Sequence, residues 1–83
     1  MKTTLIAAAK LLGLTFKETP AAFLLDKPGM KIVVDRNFKK DHRGWSHYPC
    51  TVNGKPVIGF GYILSAYDAD RLVHIFNTNA NLT

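Results

Sequence analysis

Cysteine is nearly absent from this 83-residue chain, Cys50 being the only one. A disulfide within the chain is therefore excluded, and the fold must be held by burial and hydrogen bonding, in keeping with a reducing, cytoplasmic setting. Acidic residues are scarce as well: six stand against eleven lysines and arginines, for a net charge of +5. Long apolar runs are missing. Leu5 to Ala9 is interrupted by Lys10, is too short to span a bilayer, and is followed by no small-x-small cleavage site, so neither a leader peptide nor a membrane partner is expected. Low-complexity segments and internal repeats are lacking too, which excludes a repeat array.

What remains is the composition of one small globular unit. Hydrophobic residues make up 47% and charged residues 20%, enough apolar matter for one core and too little charge for a disordered chain. A single domain over residues 1–83 is expected. The positive charge is concentrated in residues 27–43, where Lys27, Lys31, Arg36, Lys39, Lys40 and Arg43 face only Asp35 and Asp41. Such a local excess points to an acidic partner.

The best-specified stretch is Val52 to Phe76. Asn53-Gly54 is a type I′ hairpin signal, because both residues tolerate positive φ. Pro56 to Leu64 reads as a strand, with Ile58, Phe60, Tyr62 and Leu64 on one face and Val57, Gly59, Gly61 and Ile63 on the other. The two glycines would leave a flat groove there. Ser65 with Asp68 three residues on reads as a capped helix start. Ala69, Leu72, Val73 and Phe76 supply the apolar face of a helix from Ala66 to Phe76, followed by a polar tail, Asn77 to Thr83.

Upstream, Thr3 or Thr4 would cap a helix running to about Leu12, with Leu5, Ala8, Ala9 and Leu12 on one face and Gly13 in the C′ position. Leu14 to Glu18 reads as a connector. Thr19-Pro20 opens either a short helix to Leu25 or a strand from Ala21. Asp26-Lys27-Pro28-Gly29 is a type II turn, and Met30 to Asp35, centred on Ile32-Val33-Val34, is a strand. A turn between two strands makes a hairpin, which favours the strand for 21–25. Asn37 to Tyr48 has no period and reads as a long loop or extended edge, and Pro49 to Val52 starts a further strand. The expected fold is α+β: a small antiparallel sheet of three or four strands, with an N-terminal and a C-terminal helix packed on one face.

The basic segment carries the functional expectation. Arg36, Phe38, Lys39, Lys40, His42, Arg43, Trp45, His47 and Tyr48 interleave cations with aromatic rings. Cations neutralise phosphates, and exposed rings stack on unpaired bases. The plain alternative is a solvated charged loop whose rings tuck into the core. A metal site would draw on His42, His47 and Cys50 with Asp35 or Asp41, but those spacings match no standard pairing; no metal or cofactor is expected. A nucleophile would be Cys50 or Ser46 beside a histidine. His74, four residues after Asp70 on the C-terminal helix, reads as half of a surface pair and not as a catalytic group.

Two short stretches resemble known families. Ala9-Lys10-Leu11-Leu12-Gly13, with Leu14, resembles the turn of bacterial helix-turn-helix DNA-binding pairs, although Pro20 would fall inside the second helix. Gly44-Trp45-Ser46-His47-Tyr48 resembles the glycine-serine-histidine strand of HicA-type toxins. That resemblance implies a metal-independent ribonuclease with His42 or His47 as acid and base. In size and character the chain is also similar to phage and mobile-element regulators and inhibitors of host defence, including anti-CRISPR proteins. The leading expectation is a small non-catalytic protein that engages nucleic acid or a nucleoprotein complex. The alternatives are a direct inhibitor of a host defence protein and a ribonuclease toxin.

Overall fold

In the computed structural model, which describes residues 1–82, the elements run α1 (Lys2–Leu12), β1 (Thr15–Glu18), β2 (Ala22–Lys27), β3 (Met30–Asp35), β4 (Lys39–Lys40), β5 (Ser46–Val52), β6 (Lys55–Pro56), β7 (Tyr62–Leu64) and α2 (Ala69–Asn81). The described strands form one open antiparallel sheet of seven. The class is α+β as expected, with more strands than the sequence signals.

The Pro28-Gly29 turn closes a tight hairpin in which Lys27 pairs with Met30 and Ala22 with Asp35. Gly29 has φ +83, as a type II turn requires at that position. Residues 22–27 are thus strand. The run Leu14 to Glu18 is no connector: β1 pairs along β2 from Thr15↔Asp26 to Glu18↔Phe23. It is held by Phe16, whose ring stacks on Phe23 at 5.9 Å. Its single apolar side chain leaves no alternation to read. This strand also corrects the helix-turn-helix resemblance, since strands follow Gly13 where a recognition helix would lie.

Strand β5 is the hub. His47 stands between Lys39 of β4 and Leu64 of β7, and Thr51 stands between Val33 of β3 and Pro56 of β6. The Asn53-Gly54 turn forms as predicted, with φ of +53 and +82. Asn53 also ties this turn to β3, its Oδ1 accepting from the Lys31 N–H at 2.8 Å.

The continuous strand Pro56 to Leu64 is not what forms. Residues 57–61 leave the ladder as a loop, because Gly59 (φ +100) and Gly61 (φ +78) adopt a backbone that no pleated strand contains. The glycine pair therefore makes a turn and no groove-bearing strand face. The loop is pinned at three points. The Val57 N–H donates to the Cys50 carbonyl at 3.1 Å, the Cys50 N–H to the Gly61 carbonyl at 2.9 Å, and the Ile58 N–H to Asn79 Oδ1 at 2.9 Å.

Helix boundaries shift as well. α1 starts at Lys2 with Met1 as N-cap and no side-chain cap, so neither Thr3 nor Thr4 has that role. Its end is as expected: Gly13 sits at φ +70, with the Leu14 N–H reaching the Ala9 carbonyl at 2.8 Å, a Schellman arrangement. The Leu12 carbonyl is satisfied by Lys27 Nζ at 2.7 Å. α2 is capped by Asp68, whose Oδ1 accepts from the Arg71 N–H at 2.8 Å. Ser65 Oγ instead accepts from the Ser46 N–H at 3.0 Å. Serine and aspartate are equally good caps, so tertiary pairing of Ser65 with β5 decided between them. α2 continues through the supposed tail to Asn81, and Thr83 lies outside the described residues.

The core joins Leu5, Ala8 and Ala9 of α1 and Leu72 and Phe76 of α2 with Phe23, Leu25, Ile32, Val34, Cys50, Val52 and Ile63. In β2, β3 and β5 these positions alternate with more exposed ones, the period-2 signature of a sheet with one buried face. No described helix is long and apolar enough to cross a membrane.

Candidate nucleic-acid interface

The stretch read as a long loop or extended edge, residues 37–48, is largely a hairpin, with β4 at the sheet edge. Lys39 and Lys40 form β4 opposite His47 and Ser46, and residues 41–45 make the turn. Asp41 organises it. Its Oδ1 accepts from the backbone N–H groups of Arg43 at 2.8 Å and Trp45 at 3.1 Å. Its Oδ2 accepts from Arg43 Nη2 at 2.7 Å and Nε at 3.1 Å, and lies 2.9 Å from His47 Nε2. Gly44 at φ +82 completes the reversal. These contacts, led by the His47 hydrogen bond and followed by the Arg43 side chain and the two backbone donors, hold the Asp41 carboxyl well below the usual carboxylate range. Aspartate three residues before glycine is a common turn pairing, and that signal was open to sequence reading.

The register sorts the candidate residues onto different sides. Lys39 and His47 are cross-strand partners and share a face. Tyr62, opposite Pro49, belongs to the same face, and its ring lies 4.3 Å from that of His47. Phe60 stacks on Tyr62 at 5.7 Å and 13°. Lys40 points to the opposite side with Ser46. Tyr48 also lies there, half-buried against the core, with Phe38 at 5.0 Å between ring centroids. At the turn, the Arg43 guanidinium sits 4.0 Å over the Trp45 ring, a cation–π contact that also orients the arginine. His42 is exposed in the same turn. Trp45 lines a groove of about 460 Å³ with Tyr67 and Arg71.

Arg36 is not part of this surface. It donates to the Thr19 carbonyl at 2.7 Å, pairs with Glu18 at 3.0 Å and lies over the Phe23 ring at 4.8 Å. It fastens β1 to the end of β3. The sequence missed Phe60 and Tyr62, because a strand through 57–64 would have hidden their meeting with His47.

The remaining chemistry is constrained by the same geometry. Cys50 is 1% exposed and its thiol is pushed up to about 12 by burial. It stays protonated at neutral pH, unsuited to nucleophilic attack, and shares no site with His42 and His47. Ser46 is buried and points away from its neighbour His47, so the two do not make a nucleophile–base pair. A groove of about 340 Å³ opens beside the His47–Tyr62 pair, lined by Asn37, Lys39, His47, Pro49, Phe60, Gly61 and Tyr62.

Compared with known proteins, the chain matches no family model, no curated protein and no solved structure, so its functional reading rests on this geometry.

Proposed function

We propose that the protein is a small non-catalytic binding protein that engages nucleic acid, alone or within a nucleoprotein complex, through the β4–β5 hairpin and its turn. In this reading α1 and α2 cover one sheet face and leave the face of Lys39 and His47 to the partner, in the cytoplasm. The observation that supports it most is the placement of Lys39 and Lys40. They are exposed on the two sides of a two-residue edge strand, and among the described residues neither has an ion pair. The Arg43–Trp45 stack stands at the turn beside them. Uncompensated cations next to exposed rings suit a phosphate backbone with accessible bases.

Affinity for a mixed oligonucleotide pool should fall steeply with salt, and Lys39→Gln should reduce the slope of log affinity against log salt by about one, with Lys40→Gln, on the other side of the strand, reducing it less. Absence of any shift at low salt would sink the proposal. Salt-independent capture of a purified host-defence protein would instead favour the direct inhibitor. One contact favours a second reading: Asp41 at 2.9 Å from His47 Nε2 is the arrangement that orients a histidine base. A metal-independent ribonuclease would cleave RNA in EDTA and lose that activity on His47→Ala.

A further inference from the structure

We infer that the groove between the β4–β5 hairpin and the 57–61 loop is a stacking site for the base of an unpaired nucleotide, with the adjoining phosphate on Lys39. The inference rests on the nucleic-acid reading and adds to it both the ligand form, a single strand, and two residues outside the basic segment, Phe60 and Tyr62.

The ring geometry comes first. His47, Tyr62 and Phe60 form a ladder with centroid spacings of 4.3 and 5.7 Å. Its outer rung, Phe60, is 85% exposed. An aromatic face presented at the end of a stack accepts another π-face, and every base has one. A base inside a duplex has both faces covered by its neighbours, so only an unpaired base can continue the ladder.

The loop is built to hold this rung out. Gly59 and Gly61 take positive φ, and a Cβ on Gly61 would meet Pro56 Cβ at 3.3 Å. Hydrogen bonds from β5 and from Asn79 of α2 fix residues 57, 58 and 61. Asn79 is itself buried and anchored through Nδ2 to the Ile75 carbonyl at 2.8 Å. A loop backbone held by so many constraints does not have to be ordered when ligand arrives, which lowers the cost of binding, and the Phe60 ring it carries rests on Tyr62.

The electrostatics of the groove agree. Its volume of about 340 Å³ lies at the lower end of the roughly 300–1,000 Å³ range of small-ligand sites, the scale of a single nucleotide. Lys39 supplies the cation, and Asn37 supplies an amide able to donate to and accept from a base edge. No carboxylate lines it. The grooves beside β1 include Asp26, and the one beside Trp45 includes Asp68, which would repel a phosphate. Asp41, the nearest acid by bonding, is already engaged by Arg43 and His47.

The test is fluorescence anisotropy with labelled oligothymidylate, labelled oligouridylate and a labelled blunt duplex. Either single strand should bind more tightly than the duplex. Phe60→Ala should weaken single-strand binding about tenfold with an unchanged salt slope, and Phe60→Trp should restore it. Lys39→Gln should lower the salt slope by about one. Because Phe60 is exposed, its variants should keep the wild-type circular dichroism spectrum. Equal affinity for duplex and single strands, with Phe60→Ala indistinguishable from wild type, would overturn the stacking site while leaving the nucleic-acid reading in place. Absence of binding to all three probes at low salt would remove both.

Discussion

Oδ2 of Asp41 lies 2.9 Å from Nε2 of His47, across a turn that separates them by six residues. The same oxygen accepts from Arg43, while the other carboxylate oxygen accepts from the Trp45 N–H. One carboxylate thus fixes the His47 ring, the Arg43 guanidinium and the Trp45 backbone of the candidate interface relative to one another, and the guanidinium in turn lies over the indole.

The acid behaviour of the turn follows from this arrangement. The folded-state pKa of Asp41 is depressed, so its contribution to stability is fully present above the unfolded-state value of about 4. It is lost as pH falls from there through the folded value. Between pH 5 and 8 Asp41 should contribute no pH dependence. Trp45, the only tryptophan, reports on the turn: its fluorescence should hold steady through the usual carboxylate range and change only in stronger acid, where the depressed Asp41 carboxyl is finally protonated. Asp41→Asn should show the altered signal already at neutral pH. A flat Trp45 signal into strong acid, the same in both proteins, would contradict the assigned role.

Two phenylalanines should behave in opposite ways. Phe76 is fully buried and Phe60 is 85% exposed. Phe76→Ala should cost about 3–5 kcal/mol through lost burial and a residual cavity, enough to unfold much of so small a domain at room temperature. Phe60→Ala should stay within about 0.5 kcal/mol of wild type. Urea denaturation followed by far-ultraviolet circular dichroism distinguishes them, and a large loss at Phe60 would mean the ring is structural.

Asn79 is the buried link between α2 and the 57–61 loop. Asn79→Leu would strand the Ile58 N–H, at a cost of about 1–3 kcal/mol. Amide exchange should accelerate at Ile58 and Gly61 more than in β2 and β3. Uniform acceleration throughout the chain would point to general loosening instead of a loop anchor.

Gly13 tests backbone conformation alone. Nothing lies within 4 Å of a Cβ built there, yet its φ is +70. Gly13→Ala should therefore destabilise by about 1–2 kcal/mol without any clash, and Gly13→Asn by less, because asparagine visits the left-handed region more readily. Equal midpoints in urea for wild type and both variants would refute the left-handed C′ geometry.

Much of the fold was legible wherever a residue constrains its own backbone. Pro28-Gly29, Asn53-Gly54 and Gly13 each specify their local conformation, and each turns as read. Ile32-Val33-Val34 similarly gave a strand. The Gly59/Gly61 pair carried the same kind of information but competed with an alternating apolar pattern. Positive φ at the glycines prevailed, because Asn79 and Cys50 satisfy the loop's hydrogen bonds from outside it. β1 was illegible, since its only apolar anchor is Phe16 and its pairing partner lies in β2. The start of α2 was ambiguous because Ser65 and Asp68 are both competent caps.

The sequence by itself determined the class, the turns, the buried identities of Leu5, Leu72 and Phe76, and the concentration of positive charge in residues 27–43. Those properties reside in local backbone preference, in periodicity and in composition. Tertiary structure decided the site. It withdrew Arg36 to fasten β1, turned Phe38 and Tyr48 away from Lys39 and His47, and brought Phe60 and Tyr62 to His47. A face of β5 is shared by strands that are distant along the chain, and which side chains meet there depends on long-range register, which no local pattern encodes.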